Sequence, residues 1–436
     1  MLKQLLNNCR ENNIVLCVIG LGRVGLPLAL NFANSGIQVI GTDINKNLIK
    51  NLKRKKTPFL EEGIEKFIET KNFFPESNLR NAIQQSNAII ICIDIPLKRK
   101  NKPDLYQFKS LLKKIVKIGI NGKLIIFRST LPPLTFDKFV IPFLGKNTKL
   151  KIGENFGLSI CPSRTIEGKA LVENQILPEI IGGVDNLSKK ITAELFKKIN
   201  PSKKMFLTTP RAAELAKLFA NNYRYINFVL ANEIALIAEK YGEDAHEIIK
   251  MINEGYSRGG IPIPGLTEGP CLTKDGHFSI FNNNSYSSSL IKTANEINDS
   301  VTEHLMGKLE YKLKSLGKNF KDCKIAIFGM AFKAGIDDSR NSPSIKIVDS
   351  LKKKNAKFAI YDPYLKGTST IEDAISNADA IVLAVNHPEF KEIHHKIQKF
   401  NLVKRNCVLF DCWGMLNKEE CKKSGFVYMR FGSGKD

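Results

Sequence analysis

The sequence predicts an α/β protein in which two doubly wound domains are joined by a long central helix and a helical segment. Short apolar runs alternate with helical stretches in the first half of the chain and again in its last third. The region between them lacks proline and glycine from residue 211 to about residue 241. A chain of 436 residues is also too long for one hydrophobic core. We expect domain boundaries at residues 1–205, 206–300 and 301–436.

The first half of the chain alternates predicted strands and helices. Residues 14–19 form an apolar run that is too short for a helix and is followed by glycine, so a buried parallel strand is expected. Residues 25–35 have helical spacing, and Gly36 ends this helix. Further elements are strands at 38–42, 88–93 and 123–127 and a helix at 104–117. This alternation favours a doubly wound sheet with right-handed crossovers.

The central stretch 211–241 has apolar residues at helical spacing, and Pro210 stands where a helix start tolerates proline. A helix of this length spans ~45 Å, which suits a linker that also forms a dimer interface. The last third returns to strands at 324–328, 358–361, 380–385 and 408–410. Ser342-Pro343 is a cap and first-turn pair for a helix that runs to about Lys354.

Composition narrows the class of protein. The net charge of +23 is compatible with a nucleic-acid partner, but the basic runs at 53–56 and 352–354 are short and lack interleaved aromatic residues. We therefore favour a lysine-rich surface and no nucleic-acid partner. The N-terminus turns polar too soon for a signal peptide, and no apolar run approaches ~18 residues, which predicts a cytoplasmic protein without a membrane partner. The nine cysteines show no zinc-site spacing, so no metal is expected.

A glycine motif follows the first strand. Gly20, Gly22 and Gly25 open the first predicted helix, and Asp43 closes the second strand. Glycines at this spacing permit a tight turn and close approach of a pyrophosphate to the helix N-terminus, and the acid can bind a ribose hydroxyl. The motif predicts a Rossmann-like site for NAD, because a carboxylate at Asp43 would repel the 2′-phosphate of NADP.

A second motif surrounds Cys271, which follows a loop rich in glycine and proline and precedes Lys274 and Asp275. A helix beginning near Cys271 would favour the thiolate through its dipole, with help from Lys274. A thiolate can add to an aldehyde to give a thiohemiacetal, and hydride transfer from that adduct yields a thioester. A cysteine that merely packs in the protein is the alternative.

Two further groups are candidates for catalysis. Lys217 and Asn221 lie one turn apart on the central helix, with Glu214 on the same side, and could stabilise an oxyanion. A solvated helix face is the alternative. Thr130 follows a strand at the sheet edge where ligands of open α/β sheets bind, and its hydroxyl could position a water or cap a helix.

Six segments in this order resemble the UDP-glucose/GDP-mannose dehydrogenase family over nearly the whole chain. They are GLGRVGLPLA, RSTLPP, EGKALVEN with LPEIIGG, ELAKLFANNYRYINFVLANEIA, PGLTEGPCLTKD and GMAFKAGIDDSRNSP. The resemblance implies an enzyme that oxidises a nucleotide-diphosphate sugar twice, with two NAD and one water. It implies NAD in the first domain, the sugar nucleotide in the last, and a homodimer or higher homo-oligomer formed through the helical segment.

The resemblance also implies residue roles. Cys271 corresponds to the nucleophile, Lys217 to the oxyanion-stabilising lysine, and Asn221 and Asp275 to groups that position the thiol and water. Thr130 corresponds to a water-associated threonine. The implied cofactor contacts are Gly20, Gly22, Val24, Gly25, Asp43, Thr130 and Lys274. The implied substrate contacts are Lys217, Asn221, Arg258, Gly265, Lys333 and Arg340, of which Arg258 resembles an arginine that reaches a neighbouring subunit.

One departure from the family pattern concerns the hydrolytic step. Ser163 stands where members usually carry a glutamate that acts as general acid and base, and a serine cannot do this near neutral pH without help. Glu167 matches a second acidic position and could compensate, together with Asp275 and a bound water. Ser163 thus favours the alternative of a sugar-binding protein without turnover, which the intact Cys271 and Lys217 oppose.

The leading hypothesis is oxidation of the C6 hydroxyl of a UDP-sugar to a uronic acid for a surface polysaccharide. The cysteine loop is most similar in style to bacterial members that act on UDP-N-acetylhexosamines, and UDP-glucose is the other UDP-sugar considered. A GDP-mannose dehydrogenase is the alternative within the family.

Overall fold

The computed structural model describes residues 1–281 and 289–434. The chain forms two compact units. The first comprises residues 1–220 and the segment that begins at Lys274, and the second comprises residues 221–273 and the described residues from 289 onwards. Each unit contains its own β-sheet and its own apolar clusters, which confirms the predicted α/β fold with two sheets.

The first unit is built on a sheet that has eight strands in the described part of the chain. These strands are β1 (Val15–Ile19), β2 (Gln38–Thr42), β3 (Phe73–Glu76), β4 (Ala88–Ile91), β5 (Leu124–Phe127), β6 (Gly157–Ile160), β7 (Glu179–Gly183) and β8 (Met205–Thr208). Their order is β3-β2-β1-β4-β5-β6-β7-β8. The chain reverses its winding direction between β1 and β4, which places a switch point beside β1, where open α/β sheets bind ligands.

One helix of the first unit precedes β1, and the others named here lie between the strands along the chain. They are α1 (Leu2–Arg10), α2 (Gly25–Asn34), α3 (Lys46–Lys53), α4 (Ile64–Phe67), α5 (Leu79–Gln84), α6 (Tyr106–Ile118), α7 (Ile141–Asn147), α8 (Ala170–Ile176) and α9 (Asn186–Lys197). Alternate residues of β1 belong to two different apolar clusters. Leu16 and Val18 lie in one cluster, and Cys17 and Ile19 lie in the other. The sheet is therefore buried on both faces, as the continuous apolar runs predict.

The strands of this sheet do not all run in the same direction. β6 and β7 are antiparallel, with Ser159 opposite Gly183 and Ile160 opposite Gly182, whereas β7 and β8 are parallel to each other. An edge pair of strands therefore runs against the rest of the sheet. The predicted apolar runs do not reveal strand direction, because both directions bury the same side chains.

The central helix α10 extends over Pro210–Lys240, 31 residues, close to the predicted bounds. Three further helices are α11 (Ala245–Asn253), α12 (Leu272–Ile280) and α13 (Ser289–Ser315). Cys271 lies directly before α12, so the expected helix start at the cysteine is confirmed.

The second unit contains a parallel sheet with five strands in the described residues. They are β9 (Lys324–Phe328), β10 (Lys357–Tyr361), β11 (Ala380–Leu383), β12 (Val408–Asp411) and β13 (Val427–Arg430), in the order β10-β9-β11-β12-β13. The helices between them are α14 (Pro343–Lys353), α15 (Ile371–Ile375), α16 (Ile393–Phe400) and α17 (Lys418–Lys423). The Ser342 side chain caps α14 by accepting from Ser344 N–H, and Pro343 is its first residue, as predicted.

No helix within residues 1–281 and 289–434 combines the length and apolar character needed to span a membrane. All nine cysteines fall in these ranges and none forms a disulfide. Cys271 is exposed and Cys92 is half-buried, whereas the other cysteines are buried, which agrees with their interpretation as small packed side chains.

Candidate active site

The glycine loop between β1 and α2 has the shape of a phosphate cradle. A Cβ on Gly20, whose φ is +91°, would lie 2.7 Å from the carbonyl oxygen of Cys92, and one on Gly25 would lie 1.8 Å from that of Gly20. A Cβ on Gly22 would meet no described atom within 4 Å. The loop thus closes tightly at both ends and leaves open space at Gly22, next to the N-terminus of α2, whose cap residue is Val24.

Asp43 is held at the end of β2, beside this loop. One carboxylate oxygen accepts from Leu21 N–H at 2.8 Å and the other from Asn45 N–H at 2.8 Å. Both contacts fix the orientation of the carboxylate while leaving lone pairs for a ribose hydroxyl. Asp43 and the cradle together fit NAD.

Arg128 stands just before Thr130 and belongs to a buried ion network. Its guanidinium lies 2.5 Å from the Glu179 carboxylate, which also binds Lys203 at 2.6 Å. Burial alone would raise the pKa of Glu179, but Arg128 and Lys203 hold it below its usual value. The Arg128 carbonyl accepts from Ser163 N–H at 3.1 Å. The network therefore supports the loop that carries Thr130 and the loop that carries Ser163.

Within the first unit, the structure brings Lys217 and Asp275 together. The Lys217 ammonium lies 3.9 Å from the Asp275 carboxylate, and both side chains are buried. Asn221 lies one turn after Lys217 on α10, and Cys271 one turn before Asp275, at the start of α12. The predicted placement of Lys217 and Asn221 one turn apart on a helix is thus confirmed, and a buried charge pair links α10 to α12.

Lys274 contacts a residue that the sequence analysis missed. Its ammonium lies 2.5 Å from Asp94, which follows β4 next to the β1 edge. Part of the charge of Lys274 is therefore neutralised by Asp94, so Lys274 would favour a thiolate at Cys271 less than an unpaired lysine would. The sequence did contain a signal for Asp94, since it is an acidic residue directly after the apolar run of a predicted strand.

Ser163, which departs from the family pattern, and Glu167, which could compensate for it, both lie in the loop after β6. Glu167 pairs with Arg23 of the glycine loop at 3.5 Å. Ser163 is buried, and its hydroxyl is 3.0 Å from that of Thr165. Ser163, at the position of the usual family glutamate, thus offers a hydroxyl that contacts its own loop. The Glu167 carboxylate lies beside the glycine loop that is predicted to bind the cofactor.

Glu214 connects the N-terminal part of α10 to the segment that follows Thr130. Its carboxylate accepts from the backbone N–H groups of Leu134 and Phe136, each at 2.9 Å. Burial raises the pKa of Glu214 to about 7. The sequence placed Glu214 on the same helix side as Lys217, but its backbone partners, far away in sequence, could not be predicted.

In the second unit, the cysteine loop packs closely on its neighbours. A Cβ on Gly265 would lie 2.3 Å from the Trp413 ring, and the Gly265 N–H donates to Asn232 at 2.8 Å. Glu268 forms an ion pair with Lys346. Gly265, assigned to substrate contact by resemblance, therefore also permits close packing of the loop.

The loop that carries Lys333 is held by two buried side chains. Asp362 accepts from Met330 N–H at 2.6 Å and Ala331 N–H at 2.9 Å. His387 Nδ1 accepts from Gly335 N–H at 3.1 Å, so its Nε2 carries the proton and faces Asp362 at 3.3 Å. Backbone on both sides of Lys333 is thereby fixed.

The two predicted arginines have local partners. Arg340 forms hydrogen bonds to Asp338, two residues earlier, at 2.9 Å from Nε and 2.6 Å from Nη2. Arg258 is exposed, and its guanidinium lies 5.0 Å from the centre of the Tyr256 ring. Both guanidinium groups are thus oriented by neighbouring residues before any ligand binds.

Three family models match the chain. They describe the NAD binding domain (residues 14–200), the central domain (211–300) and the UDP binding domain (326–418) of the UDP-glucose/GDP-mannose dehydrogenase family. A UDP-N-acetyl-D-mannosamine dehydrogenase from Pyrococcus horikoshii is 31% identical over 96% of this chain and 99% of its own length.

Solved structures agree with this result. A UDP-D-ManNAc dehydrogenase from Pyrococcus horikoshii superimposes with a TM-score of 0.90 at 31% identity, covering 97% of this chain and 100% of that one. An NDP-N-acetyl-D-galactosaminuronic acid dehydrogenase from Methanosarcina mazei gives a TM-score of 0.81 at 26% identity, covering 100% and 98%. The chain belongs to the UDP-glucose/GDP-mannose dehydrogenase family and is an NAD-dependent nucleotide-sugar dehydrogenase.

Proposed function

We propose that this enzyme oxidises the C6 hydroxyl of a UDP-N-acetylhexosamine to the carboxylate, and that UDP-N-acetyl-D-mannosamine is its substrate. The observation that best supports this reaction is the buried Lys217–Asp275 pair. Asp275 lies one helical turn after the exposed Cys271. The choice of sugar is supported by relatives named for UDP-N-acetyl-D-mannosamine that are 31–32% identical over almost their whole length.

In this proposal the reaction proceeds through a covalent adduct on Cys271. NAD bound at the glycine cradle supplies the hydride acceptor. Loss of one hydride and one proton converts the C6 alcohol to an aldehyde, and the Cys271 thiolate adds to it to form a thiohemiacetal. Loss of a second hydride gives a thioester, and water then releases the carboxylate and the thiolate. Two NAD and one water are used for each sugar.

The buried charges have defined roles in this scheme. Lys217 stabilises the negative oxygen that develops on C6 in each addition step, because its ammonium lies in a low-dielectric environment. Asp275 keeps that ammonium in place and assists the base that removes a proton from the attacking water. Asn221 orients the substrate oxygen from the next turn of α10.

The hydrolytic step in this enzyme uses a different carboxylate from the usual one. Ser163 cannot act as a base, so we assign that role to Glu167, assisted by Asp275, with Thr130 positioning the water. The Arg23 guanidinium, 3.5 Å away, orients the Glu167 carboxylate next to the glycine loop. Val24 and Lys274 complete the cofactor contacts.

The substrate nucleotide and sugar are assigned to the second unit. Lys333 is presented by the loop that Asp362 and His387 fix, and Arg340 and Gly265 complete the contacts there. In this proposal residues 1–205 bind NAD, residues 206–300 form the linker and the cysteine loop, and residues 301–436 bind UDP.

We also propose a homodimer formed through α10. Tyr223, Leu230 and Ile237 are exposed at seven-residue intervals and therefore share one face of this helix, and the exposed Tyr241 follows directly after its end. A stripe of large apolar side chains on a long helix favours burial against a second copy. Arg258 would then reach the neighbouring site. We place the enzyme in the cytoplasm, as a supplier of uronic acid for a surface polysaccharide.

The test is the yield of NADH per sugar, with UDP-N-acetylmannosamine, UDP-N-acetylglucosamine, UDP-glucose and GDP-mannose each limiting in turn. We expect two NADH for each UDP-N-acetylmannosamine. Cys271→Ser should form no carboxylate, whereas Cys9→Ala, in α1, should retain the yield. Two NADH with another sugar only would reassign the substrate. No more than two NADH per active site, with the sugar trapped on Cys271 as a thioester, would show that hydrolysis fails with Ser163.

A further inference from the structure

Two neighbouring helices of the second unit bring three potential metal ligands together, away from every residue assigned above. His394 and His395 lie in α16 and Glu420 in α17, and one ligand atom from each lies within 4.8 Å of the others. We propose that these side chains bind a divalent transition-metal ion of the zinc class and thereby cross-link α16 to α17.

The state of His394 points to a missing ligand. Its side chain is only 1% exposed, and within the described residues neither ring nitrogen has a hydrogen-bond partner. A buried imidazole normally satisfies at least one nitrogen, because leaving both unpaired forfeits their hydration without replacement. The nearest acid, Glu420, lies 3.6 Å from Nε2, which is too far for a hydrogen bond. Coordination to a metal would satisfy this nitrogen.

The types of ligand at this cluster favour a cation of the zinc class. The Glu420 carboxylate lies 3.6 Å from Nε2 of His394, and His395 is the next residue of α16. Two imidazoles and a carboxylate form a ligand set that zinc accepts, whereas calcium and magnesium prefer sites built from oxygen alone.

The geometry requires a small closure that two of the three side chains can make. Ligand atoms of a tetrahedral zinc site are ~3.3 Å apart, because each bond is about 2.0–2.2 Å long. His395 and Glu420 are exposed and can approach the fixed His394. The His394 and His395 rings already lie side by side, with centroids 4.0 Å apart and planes tilted by 39°. A water would complete the coordination.

The ion would connect elements that already share a core. Ile393 and Ile397 of α16 and Cys421 of α17 belong to one apolar cluster, against strands β11 and β12. α16 and α17 precede consecutive strands of the sheet, β12 and β13. Metal binding that joins these helices should therefore raise the melting temperature of the protein, since the metal binds the folded form only.

The experiment measures zinc bound to the full-length protein by equilibrium dialysis after EDTA treatment, together with the melting temperature. Cys271 and other thiols contribute the same background to every variant, so the difference between variants carries the result. His395→Ala and Glu420→Gln alter exposed side chains and leave the buried His394 in place. Glu419→Gln, on the same helix, is the matched control.

We expect one zinc ion per chain to be lost, or bound at least tenfold more weakly, in His395→Ala and in Glu420→Gln, and retained in Glu419→Gln. The zinc-dependent rise in melting temperature should disappear with it, while magnesium should have no effect in any variant. Equal zinc binding in all four proteins would overturn the proposal, as would wild-type protein that binds no zinc.

Discussion

Replacing Glu179 tests how much the buried ion network beneath the Thr130 and Ser163 loops stabilises the protein. The side chains of Arg128, Glu179 and Lys203 are at most 5% exposed, and Glu179 is the acid that pairs with both cations, at 2.5 and 2.6 Å. Glu179→Gln leaves two buried positive charges without their counter-ion. Breaking a buried ion pair in this way costs about 3–5 kcal/mol. In a domain of this size, each kcal/mol lowers the melting temperature by about 2–4 °C.

The assay is thermal unfolding of wild type, Glu179→Gln and the control Glu154→Gln between pH 4 and pH 8. Glu154 forms an exposed pair with Lys151 at 3.6 Å, so its change should cost less than about 0.5 kcal/mol. Because Arg128 and Lys203 hold the pKa of Glu179 low, its contribution is present above the unfolded-state pKa and is lost as the pH falls through the lower folded-state value. A Glu179→Gln protein as stable as Glu154→Gln at pH 7 would refute the reasoning.

Two further predictions concern single positions. Gly265→Ala should destabilise the second unit by about 1–3 kcal/mol, because the added Cβ would lie 2.3 Å from the Trp413 ring. Gly145→Ala, where a Cβ meets nothing described within 4 Å, should be neutral or slightly stabilising, and urea unfolding of both variants checks this. Burial raises the pKa of Glu214 from 4.5 to about 7, so its stabilising effect is greatest below pH 4.5 and is lost as the pH rises to 7. Wild type should therefore lose up to about 3 kcal/mol relative to Glu214→Gln over this interval, and a pH-independent difference between the two proteins would contradict the assignment.

Local sequence patterns predicted the parts of this protein that depend on neighbouring residues. The glycine loop, the acid at the end of β2, the 31-residue helix α10 and the Ser342-Pro343 start of α14 all lie where the sequence placed them. The physical reason is that turns, caps and amphipathic periodicity are governed by backbone geometry over a few residues. The helix start at Cys271 was predicted on the same basis.

Tertiary structure alone decided the pairings between distant segments. Lys217 meets Asp275, Lys274 meets Asp94, and Glu179 pairs with both Arg128 and Lys203. The antiparallel direction of β7 against β6 and the approach of His394 to Glu420 are of the same kind. Many acids and bases in the chain could pair, and the sequence carries no periodic signal that selects among them. Only the packing of sheets and helices brings particular side chains within a few ångströms, and burial then makes those contacts strong enough to shift a pKa or hold a charge.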